Sequence, residues 1–107
     1  MQQQILVSLL DELKIGLAEI YGDRLYKVFL FGSYARGDQD GESDFDVLII
    51  LYDIERVTIE IKRTGLLISE LSLKYSISIS RTFVSYDTWL HGDSPLLRNA
   101  RQEAIPV

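Results

Sequence analysis

Residues 32–47 read GSYARGDQDGESDFDV, a polar stretch that joins two apolar runs. Residues 26–31 before it, YKVFLF, are typical of a strand buried on both faces. Residues 45–51, FDVLIIL, predict a second buried strand in which Asp46 is the one charged residue. The small and polar residues between the two strands predict a loop, with a short helix beginning near Ser33.

Amphipathic helices are predicted on either side of this strand pair. Residues 3–21 carry leucine and isoleucine at three- and four-residue steps, and Gly22 breaks the pattern. Residues 54–74 predict the longest helix of the chain. Its apolar face is expected to hold Val57, Ile61, Ile68 and Leu71.

The C-terminal part of the chain adds one strand and one helix. Residues 76–84, SISISRTFV, alternate small polar with apolar residues and predict a third strand. Ser94 and Pro95 are a typical helix start, so a helix is expected over 95–103, followed by an extended tail. This order of elements predicts an α/β (α+β) fold, a small mixed sheet with helices packed on it, as a single domain over residues 1–107.

Composition argues against several classes of function. The chain has no cysteine, which excludes disulfides, thiolate zinc sites and cysteine nucleophiles. Its net charge of −5 makes it a poor binder of nucleic-acid backbones, so no direct nucleic-acid binding is expected. No apolar run approaches the length of a membrane span, and the N-terminus lacks the basic region of a signal peptide. A cytoplasmic protein without membrane association is therefore expected.

Gly32 and Ser33 follow the first predicted strand directly. Glycine lets the backbone turn sharply and approach a ligand closely. Amide groups at the following helix start, together with the Ser33 hydroxyl, suit phosphate oxygens. The alternative interpretation of this pair is an ordinary turn at the end of a strand.

Asp44 and Asp46 stand at the start of the second strand. Because alternate residues of a strand point to the same face, the two carboxylates project together. Such a pair beside a core is costly unless a cation lies between its members, and hard oxygen ligands favour Mg²⁺, with Mn²⁺ as the alternative. The simpler interpretation is a polar entry to the strand.

Taken together, these features form a longer pattern. Gly32-Ser33-x-Ala35-Arg36-Gly37, then residues 38–42, then Ser43-Asp44-x-Asp46, resembles the signature of minimal nucleotidyltransferases of the DNA polymerase β superfamily. The flanking strands fall where that fold requires them. The resemblance covers nearly the whole chain and extends to the MntA-type antitoxins of HEPN/MNT toxin–antitoxin pairs.

The resemblance implies roles for the matched positions. Gly32 and Ser33 would hold the phosphates of a nucleoside triphosphate, and Asp44 and Asp46 would bind one or two Mg²⁺ ions. Arg36 would approach the phosphates or buttress the loop; its alternative is a surface ion pair with an aspartate of the loop. Ser43 would shape the turn before the aspartates and belongs to the same nucleotide-binding set.

The sequence departs from the family pattern at one point. The superfamily usually supplies a third carboxylate from a neighbouring strand, but here that strand offers Ser76, Ser78 and Ser80, any of which is a candidate for the corresponding place. Serine is a weak metal ligand and no base near neutral pH. Three explanations stay open: a third acid from elsewhere, catalysis by two aspartates with water completing the metal shell, or weak or lost catalysis. The candidate acids are Asp53, Glu55 and Asp87.

The resemblance also implies a function. It predicts Mg²⁺-dependent transfer of a nucleoside monophosphate, AMP from ATP, to a hydroxyl such as a tyrosine on a HEPN-family toxin, which makes the chain an antitoxin. The alternative is a catalytically weak or inactive module that neutralises its partner by stoichiometric contact. Whether the chain also forms a homo-oligomer is left open.

Overall fold

The computed structural model describes residues 3–37 and 44–107. Helix α1 spans Gln3–Tyr21, and a 3₁₀ turn over Gly22–Arg24 leads into strand β1, Leu25–Phe31. The remaining elements are α2 Ser33–Arg36, β2 Phe45–Leu51, α3 Val57–Tyr75, β3 Ile79–Ser85, α4 Tyr86–His91, α5 Pro95–Glu103 and β4 Ile105–Pro106. Within the described ranges, no helix is long and apolar enough to cross a membrane.

The strands form one mixed sheet in the order β3-β2-β1-β4. Strand β1 pairs antiparallel with both β2 and β4, whereas β2 and β3 run parallel. The expected mixed sheet with packed helices is therefore confirmed, and the extended tail becomes its fourth, short strand.

Helices cover both faces of the sheet. On one face, α1 and α3 bury a large cluster that includes Leu13, Phe45 and Ile49. On the other, α5 packs Leu97 and Ala100 against the second cluster. Strand β2 lies in the centre and is buried along almost its whole length, because its residues alternate between these two cores.

Two element boundaries differ from the predicted ones. Helix α3 begins at Val57 rather than at 54, since Arg56 is extended with φ −143° and ψ 125°. Strand β3 begins at Ile79 rather than at 76, because Ser76 ends α3 in the left-handed conformation with φ 52°. The sequence pattern also does not predict α4, whose N-cap Ser85 accepts a hydrogen bond from the backbone of Thr88.

The predicted buried face of α3 is partly wrong. Val57 and Ile61 are 45% and 41% exposed, whereas Glu60 and Thr64 are buried. The helix turns this face inward because Glu60 finds partners there: the Tyr21 hydroxyl donates to it at 3.0 Å and Arg24 at 2.9 Å. A buried carboxylate is tolerated when it is paired and hydrogen-bonded in this way.

Candidate active site

Gly32 joins β1 to α2 in a conformation that few other residues adopt. Its φ is 75° and its ψ is −152°, a region used almost only by glycine. Its carbonyl oxygen accepts the backbone N–H groups of Ala35 and Arg36, both at 3.1 Å, and so begins the short helix. A Cβ atom built on Gly32 would lie 2.4 Å from Oδ2 of Asp46. The turn therefore requires glycine, and a side chain at this position would also displace the Asp46 carboxylate.

Asp46 lies in the middle of the sheet near the start of β2. Its neighbours are Phe31 on β1 and Ser80 on β3. It is half-buried, while every other residue of β2 is buried. Asp44 is exposed just before the strand, two positions away, so both aspartates lie on the sheet face that carries α5. The structure thus brings Gly32 and the two aspartates together where β1 ends and β2 begins.

Electrostatics set the character of this aspartate pair. Burial and the negative charge of Asp44 raise the pKa of Asp46 above its usual value. Hydrogen bonding from Ser80 and the positive charge of Arg36 act in the opposite direction but do not cancel the rise. The two carboxylates therefore repel each other, and a cation between them would remove that repulsion.

Ser80 occupies the position opposite Asp46 where a third carboxylate is missing. The parallel register of β2 and β3 pairs Asp46 with Ser80. Ser76 ends α3, and Ser78 lies before β3 with its carbonyl accepting from Phe45 N at 2.8 Å, whereas the Ser80 side chain hydrogen-bonds to Asp46. Sequence alternation alone did not distinguish the three.

The other candidate acids lie elsewhere. Asp53 follows the far end of β2 and pairs with Arg24 at 3.3 Å, and Asp87 pairs with His91 on α4 at 3.2 Å. Glu55 lies in the connection that leads to α3. Among the described residues, no group of three or more histidines, aspartates or glutamates could hold a metal ion. Within those residues, the explanation that a third acid comes from elsewhere is not supported.

Arg36 connects the loop region to α5. Its Nη1 lies 3.5 Å from Oε2 of Glu103, and its charge also acts on Asp46. No local pattern predicts this pair, because the two residues are distant along the chain. Arg101 does not take Glu103 as a partner and instead donates to the carbonyls of Trp89 and Gly92. Ser43, and the aspartates at 38 and 40 that were alternative partners of Arg36, lie outside the described residues.

The sequence of the chain matches the model of a known protein family. The family model described as "Nucleotidyltransferase domain" matches residues 10–103. The chain belongs to this family. The match includes both aspartates, Gly32 and the strand that carries Ser80, so the site lies wholly inside the nucleotidyltransferase domain.

Relatives of this nucleotidyltransferase domain come from Methanocaldococcus jannaschii. The protein named "Putative protein adenylyltransferase MJ0141" is 43% identical over 75 residues, which cover 70% of this chain and 75% of the relative. "Putative protein adenylyltransferase MJ1305" is 32% identical over 99 residues, which cover 91% of this chain and 67% of the relative.

Solved structures share the fold of the domain. A chain in a crystal structure of a toxin–antitoxin with AMP-PNP aligns with a TM-score of 0.65 at 19% identity, covering 90% of this chain and 69% of that chain. A chain in a crystal structure of a mutant of the toxin–antitoxin MntA-HpeT aligns with a TM-score of 0.57 at 19% identity, covering 91% and 70%. These chains share the small mixed sheet with packed helices that the sequence predicts.

Proposed function

We propose that the chain transfers AMP from ATP to a hydroxyl group on a partner protein in the cytoplasm. The observation that carries this proposal is the convergence of Asp44, Asp46 and Gly32 at the start of β2. Relatives named as protein adenylyltransferases support a protein acceptor over a small molecule.

The aspartate pair fits a divalent cation. Burial and the charge of Asp44 both raise the pKa of Asp46, so the charged pair is unfavourable without a counter-ion. Asp44 and Asp46 would hold Mg²⁺, or Mn²⁺ as the alternative, with phosphate and water oxygens in the remaining positions. When bound, the ion would neutralise phosphate charge and lower the pKa of the attacking hydroxyl.

The residues of the chain itself would orient the reactants. Gly32 lets the backbone approach without a side chain, and Ser33, Arg36 and Ser43 would contact the nucleotide. Ser80 positions the Asp46 carboxylate by hydrogen bonding. The acceptor oxygen forms its bond to the α-phosphorus as the bond to pyrophosphate breaks, and the acceptor proton leaves to solvent. Because a serine at position 80 cannot act as a base, transfer should be slower by about 10²–10⁴-fold than with a carboxylate there.

The partner is proposed to be a toxin of the HEPN family. Support comes from the solved chains of the same fold, which were crystallised as toxin–antitoxin structures, one of them with AMP-PNP. In this role the chain is an antitoxin that modifies its toxin. The serine at position 80 favours a second candidate function, a weakly active or inactive module that binds the toxin stoichiometrically.

The test is incubation of the chain with α-labelled ATP and Mg²⁺, with and without the partner. The partner to add is a candidate HEPN-family toxin. Wild-type chain should label this toxin, and Asp44→Asn/Asp46→Asn should not. Asp87→Asn is the matched control, because it removes an exposed acid that lies on α4 and pairs with His91. A stable complex without label, formed equally by the double variant, would establish the binding module instead.

A further inference from the structure

The outer edge of β3 offers backbone groups for pairing. This strand is at the end of the sheet, and within residues 3–37 and 44–107 no other strand pairs with its outer side. Phe45 N donates to Ser78 O, so the backbone groups of 78, 80, 82 and 84 face β2. Because successive residues alternate, the N–H and C=O groups of 79, 81, 83 and 85 face away from the sheet. This edge is therefore a template for one more strand.

Natural proteins usually block such an edge with charges, proline or a bulge. Strand β3 pairs with β2 without any shift of register over Ile79–Ser85. Its one charged residue, Arg81, folds back onto α3, with Nε 2.8 Å from Thr64 Oγ1 and Nη2 2.9 Å from Ile61 O. Within residues 79–85, the strand therefore has no proline, no bulge and no charge that points outward from its edge.

A groove runs along the second half of the same edge. Its volume is about 340 Å³, and residues 82–85 of β3 are among the residues that line it. Ile54 and Val57 line it beside α3, and Leu96 and Leu97 line it beside α5. Val57 and Leu96 remain 45% and 42% exposed. Apolar walls on both sides of a free strand edge match an extended peptide, whose alternate side chains point to opposite faces.

Strand β3 carries both the groove and the residue that pairs with Asp46. Ser80 lies two residues before Thr82, about 7 Å along the strand, and pairs with Asp46. A peptide paired along β3 would lie two strand spacings of about 4.8 Å from β2. A long side chain on the face shared by Ser80 and Asp46 would then point toward the aspartates.

We propose that the groove and the free edge of β3 bind an extended segment of the acceptor protein as an additional strand, which delivers its hydroxyl side chain to Asp44 and Asp46. This inference rests on the proposed function, and it names how the substrate is held. A second copy of the chain is the other occupant that such an edge accepts. A segment paired along the whole of β3 would pass both the groove and Ser80, which pairs with Asp46, and this favours the acceptor segment.

The test uses the full chain and a displayed library of peptides long enough to pair with all of β3, each with one tyrosine and no other hydroxyl. The groove variant is Val57→Asp/Leu96→Asp. Both positions lie in the first turn of a helix, where the helix dipole favours aspartate, so neither substitution opposes its helix; urea unfolding checks that the fold is retained. The control is Leu66→Asp/Leu73→Asp, because these side chains are 73% and 82% exposed and do not line the groove.

Peptides selected on the wild-type chain should bind the groove variant at least about tenfold more weakly, a change of about 1.4 kcal/mol, and the control variant unchanged. Binding should slow hydrogen exchange at the amides of Arg81 and Phe83, whereas those of Thr82 and Val84 are already protected by β2. Equal binding to both variants, protection elsewhere, or failure to select any peptide would overturn the inference. A dimer of the free chain that the groove variant abolishes would overturn it in favour of a second copy.

Labelled ATP separates this inference from the proposed function. Peptides that dock at the edge but gain no label support the docking and refute AMP transfer. Peptides labelled equally by wild-type chain and groove variant support the transfer and refute the docking. If peptide binding and peptide labelling both fall in the groove variant and neither falls in the control variant, the result supports the docking and the AMP transfer together.

Discussion

Replacing Gly32 by alanine tests the geometry of the site directly. The native φ of 75° with ψ of −152° is strained for any residue with a side chain, at a cost on the order of 1–3 kcal/mol. The new Cβ would also meet Oδ2 of Asp46 at 2.4 Å, which forces that carboxylate to move. A displacement of about 1 Å at a reacting centre costs on the order of 10²-fold in rate.

Two assays separate these effects. Urea unfolding of Gly32→Ala should show a loss of about 1–3 kcal/mol, and label transfer from ATP should fall by about 10²-fold. The control is Gly22→Ala, because Gly22 also has a positive φ, 53°, but a Cβ atom built on it would meet nothing within 4 Å. It should lose stability by about 1–2 kcal/mol and keep its transfer rate.

A double-mutant cycle with Asp46→Ala then isolates the contact itself. In that background the added Cβ meets no carboxylate, so Gly32→Ala should destabilise the chain by about 1 kcal/mol less. Effects on stability that add within about 0.5 kcal/mol would refute the close approach of Gly32 and Asp46.

Three further predictions concern Arg24, Glu60 and Ser80. Arg24→Met removes the ion-pair partner that lies 2.9 Å from the buried Glu60, and it should lower the free energy of unfolding in urea by about 3–5 kcal/mol. Arg98→Met breaks an exposed pair and should lower it by less than about 1 kcal/mol. Equal losses would contradict the argument from burial. Burial raises the pKa of Glu60, but hydrogen bonds from Arg24 and Tyr21 outweigh burial and leave the pKa below 4.5. The ionised Glu60 therefore stabilises the fold above about pH 4.5, and this stabilisation is lost as the pH falls through the lowered pKa. Stability measured against pH should therefore fall less steeply on the acid side for Glu60→Gln, and parallel curves would exclude this origin. Ser80→Asp places a third carboxylate opposite Asp46, so it should tighten Mg²⁺ binding measured by calorimetry and raise the rate of AMP transfer. An unchanged affinity for Mg²⁺ would show that position 80 does not reach the metal.

Local patterns in the sequence determined the elements around the site. The spacing of apolar residues predicted α1 over Gln3–Tyr21 and β2 over Phe45–Leu51 with the bounds that the structure has. Strand alternation predicted that Asp44 and Asp46 lie on one face of the sheet, because this alternation acts over a few residues.

Only the tertiary structure decided which distant residues meet the site and the core. The register of β3 beside β2 selects Ser80 from three equivalent serines, and Glu103 reaches Arg36 from a helix far along the chain. Glu60 is buried because Tyr21 and Arg24 converge on it, against the apolar periodicity of α3. Local periodicity cannot encode such choices, since they depend on how whole elements pack and on which polar groups each packing leaves satisfied.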